Sequence, residues 1–448
     1  MKRELKVVVG AAWAALLALL FLVSSVTSGS AEEGDSTEAD RISEIEEKVD
    51  ALADEVGRLE SIFAVPEEVR LESFSGLGPA ASKVYKRDQG LSIGGYGEVR
   101  LRTYHNQPGD ENEDDIFDAL RAVLYVGYKF NDNWVVNTEF EFEHAGGDGG
   151  SVSTEFATVD YLWRDEVNGR AGLVLLPMGF VNEIHEPTFF YGAERPEVER
   201  LILPSTWREN GVGVFGRVAD RIDYRFYVVN GFDGQGFDSN GLRGGRQKGS
   251  KALANDFAFV GRIDVDVLPG LLVGGSVYTG QSGQEQSVDI EDPLDPAETV
   301  TVDLPDAQTT IYEVHAQYKG KGLSLRALFT EAFIDEAANL SRALELDNDK
   351  AIANRMRGWY VEGAYDILPL FMETRATLEP YFRYEYYNTQ YDVSGTFSKD
   401  KSKKVDLYTA GLQFKPIPNV VFKVDYRHFE PGNNEKADQV QALVGYVF

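Results

Sequence analysis

From Leu91 to Phe448 one pattern recurs: short runs in which every second residue is apolar and its neighbours are polar or charged. In Ile222-Asp223-Tyr224-Arg225-Phe226-Tyr227-Val228 one parity is apolar throughout. Ala376, Leu378, Phe382, Tyr384 and Tyr386 alternate with Arg375, Thr377, Glu379, Arg383 and Glu385. Val420, Phe422, Val424 and Tyr426 alternate with Val421, Lys423, Asp425 and Arg427. Successive side chains of a strand point to opposite faces, so such runs make strands with one apolar and one wet face. Strands are expected at 91–104, 117–130, 133–143, 153–163, 169–176, 210–218, 221–230, 256–267, 270–279, 308–319, 322–333, 355–366, 372–388, 404–415, 419–429 and 437–448, sixteen in all.

A soluble sandwich could alternate in the same way, and the connections separate the two. The links after odd-numbered strands are mostly long, at Met178–Glu209, Gly231–Asn255, Gln281–Ala307 and Ile334–Asn354. Those after even-numbered strands are tight: Asn131-Asp132, Ala219-Asp220, Leu268-Pro269-Gly270, Gly320-Lys321 and Pro416-Ile417-Pro418. An even strand number with long loops at one end and turns at the other is the signature of an antiparallel transmembrane barrel. In the last strand Val440, Ala442, Val444, Tyr446 and Phe448 share one face, which resembles the terminal strand that outer-membrane assembly machinery recognises.

The N-terminus fits export. Lys2, Arg3 and Lys6 precede an apolar run, Val7 to Val23, and small residues lead to Ala31, so residues 1–31 read as a signal peptide. An uncleaved anchor is the alternative, at the lower length limit for a spanning helix. The formal net charge is -29, and the signal holds three cations against Glu4, which leaves about -31 beyond it. Such acidity argues against nucleic-acid partners. With no cysteine, disulfides and thiolate metal sites are excluded.

Within 32–63, Ile42, Ile45, Val49, Leu52, Val56, Leu59 and Phe63 are spaced alternately by three and four. That is a heptad seam, too narrow to coat a barrel, and it predicts a short self-associating coiled coil. Residues 64–90 read as a linker, with no plug domain before the barrel at 91–448.

Sixteen strands leave an aqueous lumen. Its expected parity carries Arg100, Arg102, Arg121, Arg217, Arg225, Arg262, Arg326, Arg375, Arg383, Lys423 and Arg427, against Glu98, Glu139, Glu141, Asp223, Asp264, Glu379, Glu385 and Asp425. Many should pair across strands. The third long loop, from Pro177-Met178-Gly179 through Phe189-Phe190-Tyr191 to Trp207-Arg208, is too aromatic for an exposed loop. Folded inward, it would set Glu183, Glu186, Glu194 and Arg195 against the wall arginines Arg225, Arg262, Arg326 and Arg383 as a pore constriction; an external cap or subunit contact is the alternative.

The run Pro177-Met178-Gly179, Phe190, Glu194-Arg195 and Arg208 before Gly211-Val212 resembles phosphate- and pyrophosphate-selective porins in the stretch after the fifth strand. The resemblance implies a trimeric sixteen-stranded barrel, an arginine-lined pore and an inward third loop; it covers Leu91 to Phe448 in architecture and this one stretch in motif. The acidic barrel, the mixed lumen charges and the lack of a dense lysine cluster depart from the pattern. A passive outer-membrane porin, embedded among lipid and lipopolysaccharide and admitting small solutes or anions, is therefore expected. The rival readings are a structural tether whose pore is incidental and a barrel-embedded hydrolase. The histidines His105, His144, His185, His315 and His428 are scattered without metal spacing, no serine sits in a nucleophile elbow, and no cofactor is expected. The acidic run Asp110-Glu111-Asn112-Glu113-Asp114-Asp115 could take a divalent ion, although a solvated loop explains it as well.

Overall fold

The computed structural model describes residues 45, 47–53, 71–106, 114–144, 149–292 and 295–448, in two compact units, 1–67 and 68–448. In the first unit the described residues are helical, with Ile45, Val49 and Leu52 all exposed. The expected signal peptide, the rest of the heptad seam and most of the acidic run lie outside the described residues.

The second unit is a closed antiparallel barrel of sixteen strands. They are β1 Gly90–His105, β2 Ile116–Lys129, β3 Trp134–Glu143, β4 Ser151–Arg164, β5 Val167–Leu175, β6 Arg208–Val218, β7 Ile222–Asn230, β8 Phe257–Leu268 and β9 Leu271–Gly280. After a two-stranded hairpin, β10 Ser287–Asp292 with β11 Asp295–Asp303, follow β12 Thr309–Gly320, β13 Leu323–Ile334, β14 Arg355–Tyr365, β15 Thr377–Asp392, β16 Lys404–Ile417, β17 Val420–Pro431 and β18 Ala437–Val447. Each barrel strand pairs with its sequence neighbours, and β1 closes on β18 with Glu98 opposite Gly445 and Tyr96 opposite Val447. Phe448 extends this seam, exchanging backbone hydrogen bonds with Gly95.

The alternation partitions the side chains as the sequence pattern requires. On β14 Tyr360 is buried in the interior while Val361 is 45% exposed on the outside. Val440, Val444, Tyr446 and Phe448 are likewise exposed on one face of the last strand. Strand β15 starts at Thr377, later than expected, because a 3-10 turn at Leu368–Leu370 carries the connection. Arg375 precedes that strand and is exposed, so it is not a lumen residue. The hairpin β10–β11 went unforeseen inside the fifth loop, although Val288 opposite Val302 and Ile290 opposite Val300 obey the same period of two.

The lumen is not an open tube. Above, loops three to six share an apolar core with the wall, in which Trp207 stacks on Phe232 at 4.5 Å and meets Tyr278 at 4.7 Å. Below, residues expected to be a linker are part of the interior. Leu77, Ala80, Ala81, Val84 and Tyr85 are buried with Tyr96, Val123, Tyr125, Val135 and Phe156 of the wall. Gly127 leaves room for this segment, since a Cβ there would lie 2.8 Å from Val84. The Tyr85 hydroxyl donates to Asp160 at 2.7 Å, and Arg170 holds the same carboxylate through Nε at 2.9 Å and Nη2 at 2.8 Å. A linker has no reason to place a tyrosine on a buried ion pair; the small, apolar Ala80-Ala81 and Val84-Tyr85 pairs were the overlooked signal. Tyr85→Phe should cost about 1–2 kcal/mol by removing one donor from that carboxylate, read as a lower melting temperature of the barrel in detergent.

Candidate functional site

The third loop enters the lumen at Pro177-Met178-Gly179. Gly179 has φ +68°, and a Cβ there would collide with Glu199, so the turn needs glycine. The backbone amides of Phe180 and Val181 each donate to Glu199 Oε2 at 2.8 Å, and Tyr360 of β14 donates to the other oxygen at 2.6 Å. Arg262 of β8 donates to the Gly179 carbonyl. Burial pushes the Glu199 carboxyl above its usual range. The short helix Glu197–Leu201 then rests Val198 and Ile202 on Gly358, where any side chain would intrude.

Between these points the loop crosses the barrel, and wall cations grip its backbone. Lys415 donates to the Thr188 carbonyl at 2.7 Å; Lys423 donates to Phe190 at 2.7 Å and Gly192 at 2.9 Å. Arg383 reaches the carbonyls of Tyr191 at 3.0 Å and Glu194 at 3.3 Å. The Tyr191 hydroxyl donates to Glu379 at 2.6 Å, and the Ala193 amide to Asp425 at 2.7 Å. Phe190 is buried under this lattice, with the Lys423 ammonium 3.9 Å from its ring centre. The loop therefore lies inside the barrel, bound to strands on opposite sides.

The eight expected constriction residues divide into two kinds. Arg225 is buried between Glu183, at 2.8 Å, and Asp264. Arg262 shares Asp264 at 2.8 Å and touches His315 at 3.2 Å. Arg383 is fully buried between Glu362 at 3.1 Å and Glu385 at 2.8 Å. Arg326 donates to Gln317 at 2.9 Å and covers the Phe180 ring at 4.6 Å. Glu186 is buried and accepts the Ala80 amide at 3.0 Å. These six, Glu183 included, are anchors between loop, wall and N-terminal segment. Glu194 and Arg195 are half-buried: Glu194 pairs with Arg100 and, at 3.5 Å, with Arg102, while Arg195 has a buried Nη2 without a hydrogen-bond partner.

The open charged space lies elsewhere, in a cleft of about 580 Å³ between β3–β4 and the third and fourth loops. Glu141, Glu143 and Glu155 line one side; Arg208, Arg243, Arg246 and Lys248 line the other, and Arg208 bridges to Glu155. Arg246 donates only to carbonyls, Thr206 at 2.5 Å, Pro204 at 3.1 Å and Arg243 at 3.0 Å. Among the described residues the lining cations Arg243, Arg246 and Lys248 form no ion pair, so their charge faces the cleft. Burial, then mutual repulsion with Arg246, Arg200 and Arg195, brings Arg243 down to about 9; burial, then Arg208, brings Arg246 to about 10. Sequence reasoning passed over these residues, yet Arg243-Gly244-Gly245-Arg246-Gln247-Lys248 is a conspicuous basic run in an acidic chain. The described residues contain no cluster suited to holding a metal ion.

Two tests follow from the anchors. Arg383→Gln strands two buried carboxylates and should cost about 3–5 kcal/mol, seen as a lower melting temperature and noisier single-channel current. Burial pushes the Glu186 carboxyl up to about 8. An acid whose folded pKa is raised binds its proton more tightly when folded, so its anchoring is strongest below about pH 4.5 and is lost as pH rises to about 8. Protease access to residues 71–89 should increase over that range, and Glu186→Gln should flatten the increase.

No protein-family model matches the sequence, so the resemblance to phosphate-selective porins rests on the third-loop motif. Among solved structures the barrel is similar to an anion-selective porin from Comamonas acidovorans, at 11% identity and a TM-score of 0.51, covering 80% of this chain and 100% of that one. It is also similar to the outer membrane channel DcaP of Acinetobacter baumannii, at 13% identity and a TM-score of 0.50, covering 80% and 97%. At those identities the likeness establishes a porin-like fold. An uncharacterized protein of Aquifex aeolicus (strain VF5) is 35% identical over 389 residues, which span 84% of each chain. By that identity and coverage, this chain belongs to the same family as the Aquifex aeolicus protein.

Proposed function

We propose that the protein is an outer-membrane porin through which small hydrophilic solutes diffuse passively, with a preference for anions such as phosphate. The observation that carries this reading is the charged cleft beside an inward third loop, inside a closed barrel whose outer face is apolar. Strands of 9 to 16 residues match the roughly 9–11 residues that a tilted strand needs to cross a bilayer. Phe130, Trp134, Trp163 and Phe448 are exposed on the outside near the tight-turn end, as interfacial aromatics require. Opposed rows of fixed charge across a narrow, low-dielectric gap hold an ion on one side according to its sign. Here the unpaired lining cations Arg243, Arg246 and Lys248, with Arg195 close enough to repel Arg243 and Arg246, make the favoured lane an anion lane, despite the net acidity of the chain.

In this reading residues 1–31 direct export and are removed. The heptad seam lies in the periplasm and joins three copies, so the functional unit is a homotrimer. The protein acts without cofactor and is not an enzyme.

Reversal potentials under a salt gradient in planar bilayers test selectivity. The wild type should favour anions, and phosphate should lower chloride current at millimolar concentration. Neutralising Arg195, Arg243 and Arg246 to Gln should move the reversal potential towards cations. The shift should be larger at 0.01 M than at 0.1 M salt, because the screening length falls from about 30 Å to about 10 Å. A cation-selective wild type indifferent to phosphate would leave a general diffusion channel, and absence of conductance would sink the porin reading.

A further inference from the structure

We propose that the outer wall of the barrel carries a binding site for the phosphate of a lipid headgroup, built from Arg355 and Arg357 on β14. The inference rests on the outer-membrane reading above, which makes the long-loop rim of the barrel the level of the outer-leaflet headgroups. Met356 and Tyr360 point inward and are buried, so Arg355, Arg357, Trp359 and Val361 share the outer face. At that level outward guanidinium groups meet not acyl chains but headgroups, where basic side chains recognise lipid phosphates.

Glu331 of β13, opposite Arg357 in register, organises them. It accepts Arg355 Nε at 3.0 Å and Nη2 at 2.6 Å, Arg357 Nε at 2.5 Å and the Tyr312 hydroxyl at 2.5 Å. Arg357 Nη1 donates to the Tyr391 hydroxyl at 2.7 Å, and the Tyr391 ring lies 4.1 Å below that guanidinium. The carboxylate side chain is sealed at 3% exposure, whereas the Arg355 and Arg357 side chains stay 34% and 27% exposed. One carboxylate against two guanidiniums leaves a positive charge in excess. Exposed Lys399, whose ammonium donates to the Tyr391 carbonyl at 2.5 Å, adds another. Asp392, the register partner of Arg355, forms no ion pair with it.

Arg355 Nη1 and Arg357 Nη2 donate to no atom among the described residues. Planar guanidinium forks with free donors match phosphate oxygens. Towards the bilayer centre the site gives way to Phe329 and Trp359, the latter 5.1 Å from Tyr384, a surface suited to acyl chains. Farther round the same rim, Asp438 and Glu430 dominate around His428, which would repel phosphate, so the basic site is local.

The full-length protein in detergent would be titrated with bisphosphorylated lipid A, with its dephosphorylated form and with inorganic phosphate, following bound lipid by native mass spectrometry. Lipid A should bind at least tenfold more tightly than the dephosphorylated form. Arg355→Gln with Arg357→Gln should remove that difference, and millimolar inorganic phosphate should not displace the lipid. Arg357→Lys, which keeps charge but loses the fork, should weaken lipid A several-fold and serves if the double variant does not fold. Equal binding of the two lipid forms, or lipid A affinity unchanged by the substitutions, overturns the proposal. Displacement by inorganic phosphate overturns the lipid assignment in favour of a free-anion site. Conductance in phosphatidylcholine bilayers is measured separately: a silent wild type that still binds lipid A through these arginines counts against the channel and not against this site.

Discussion

A sheet edge in hydrocarbon leaves a row of amides and carbonyls with no partner, and the pairing of β1 with β18 removes the last such edge. The rest of the molecule follows from that closure. Once the sheet is a cylinder, every strand residue faces either the surroundings or the lumen, and a shift of one residue would exchange the two faces. The apolar parity goes outward and the charged parity inward, so the inside of the barrel is filled with groups that each need a partner.

That need shapes the lumen. An isolated buried charge is costly, whereas one with good geometry and filled hydrogen-bonding capacity fixes position more than it adds stability. Wall arginines and lysines meet it in two ways. Arg170, Arg225 and Arg383 take carboxylates from the wall or the third loop; Lys415 and Lys423 take loop carbonyls. An irregular loop inside a barrel would otherwise carry unsatisfied carbonyls of its own, so cation and loop solve each other's problem. The cations that reach open space are those that this lattice leaves over, and they sit on the loops.

The outer wall obeys the same rule with the solvent reversed. Where charge appears on the outer face it keeps to the long-loop ends of the strands and is locked in clusters, Glu331 with Arg355 and Arg357 on β13 and β14, and His428 with Glu430 and Asp438 on β17 and β18. Position along the strand makes such a cluster tolerable, because the long-loop rim lies beyond the hydrocarbon in the proposed setting.

By itself the sequence determined the barrel: the period of two, the even strand number and the sorting of long and short connections are local properties, written within each hairpin. It marked the third loop as too aromatic to stay in water, but an inward path and an external cap or subunit contact were equally compatible with that, and the wall cations that grip its backbone decided between them. What it could not decide was which charges remain free. Arg225, Arg262 and Arg383 look like pore-lining cations on their strands; Asp264 and Glu385 stand only two residues from Arg262 and Arg383, but Glu183 of the third loop and Glu362 of β14 reach Arg225 and Arg383 only in the fold. Residues 71–89 look like a linker because their partners, Asp160 among them, lie some 75 positions away in the chain. Arg243 and Arg246 gain their importance from the third loop's path beside them. Strand formation depends on neighbours one and two residues apart, whereas the field in the lumen depends on which distant charges meet, and that was settled only by the tertiary structure.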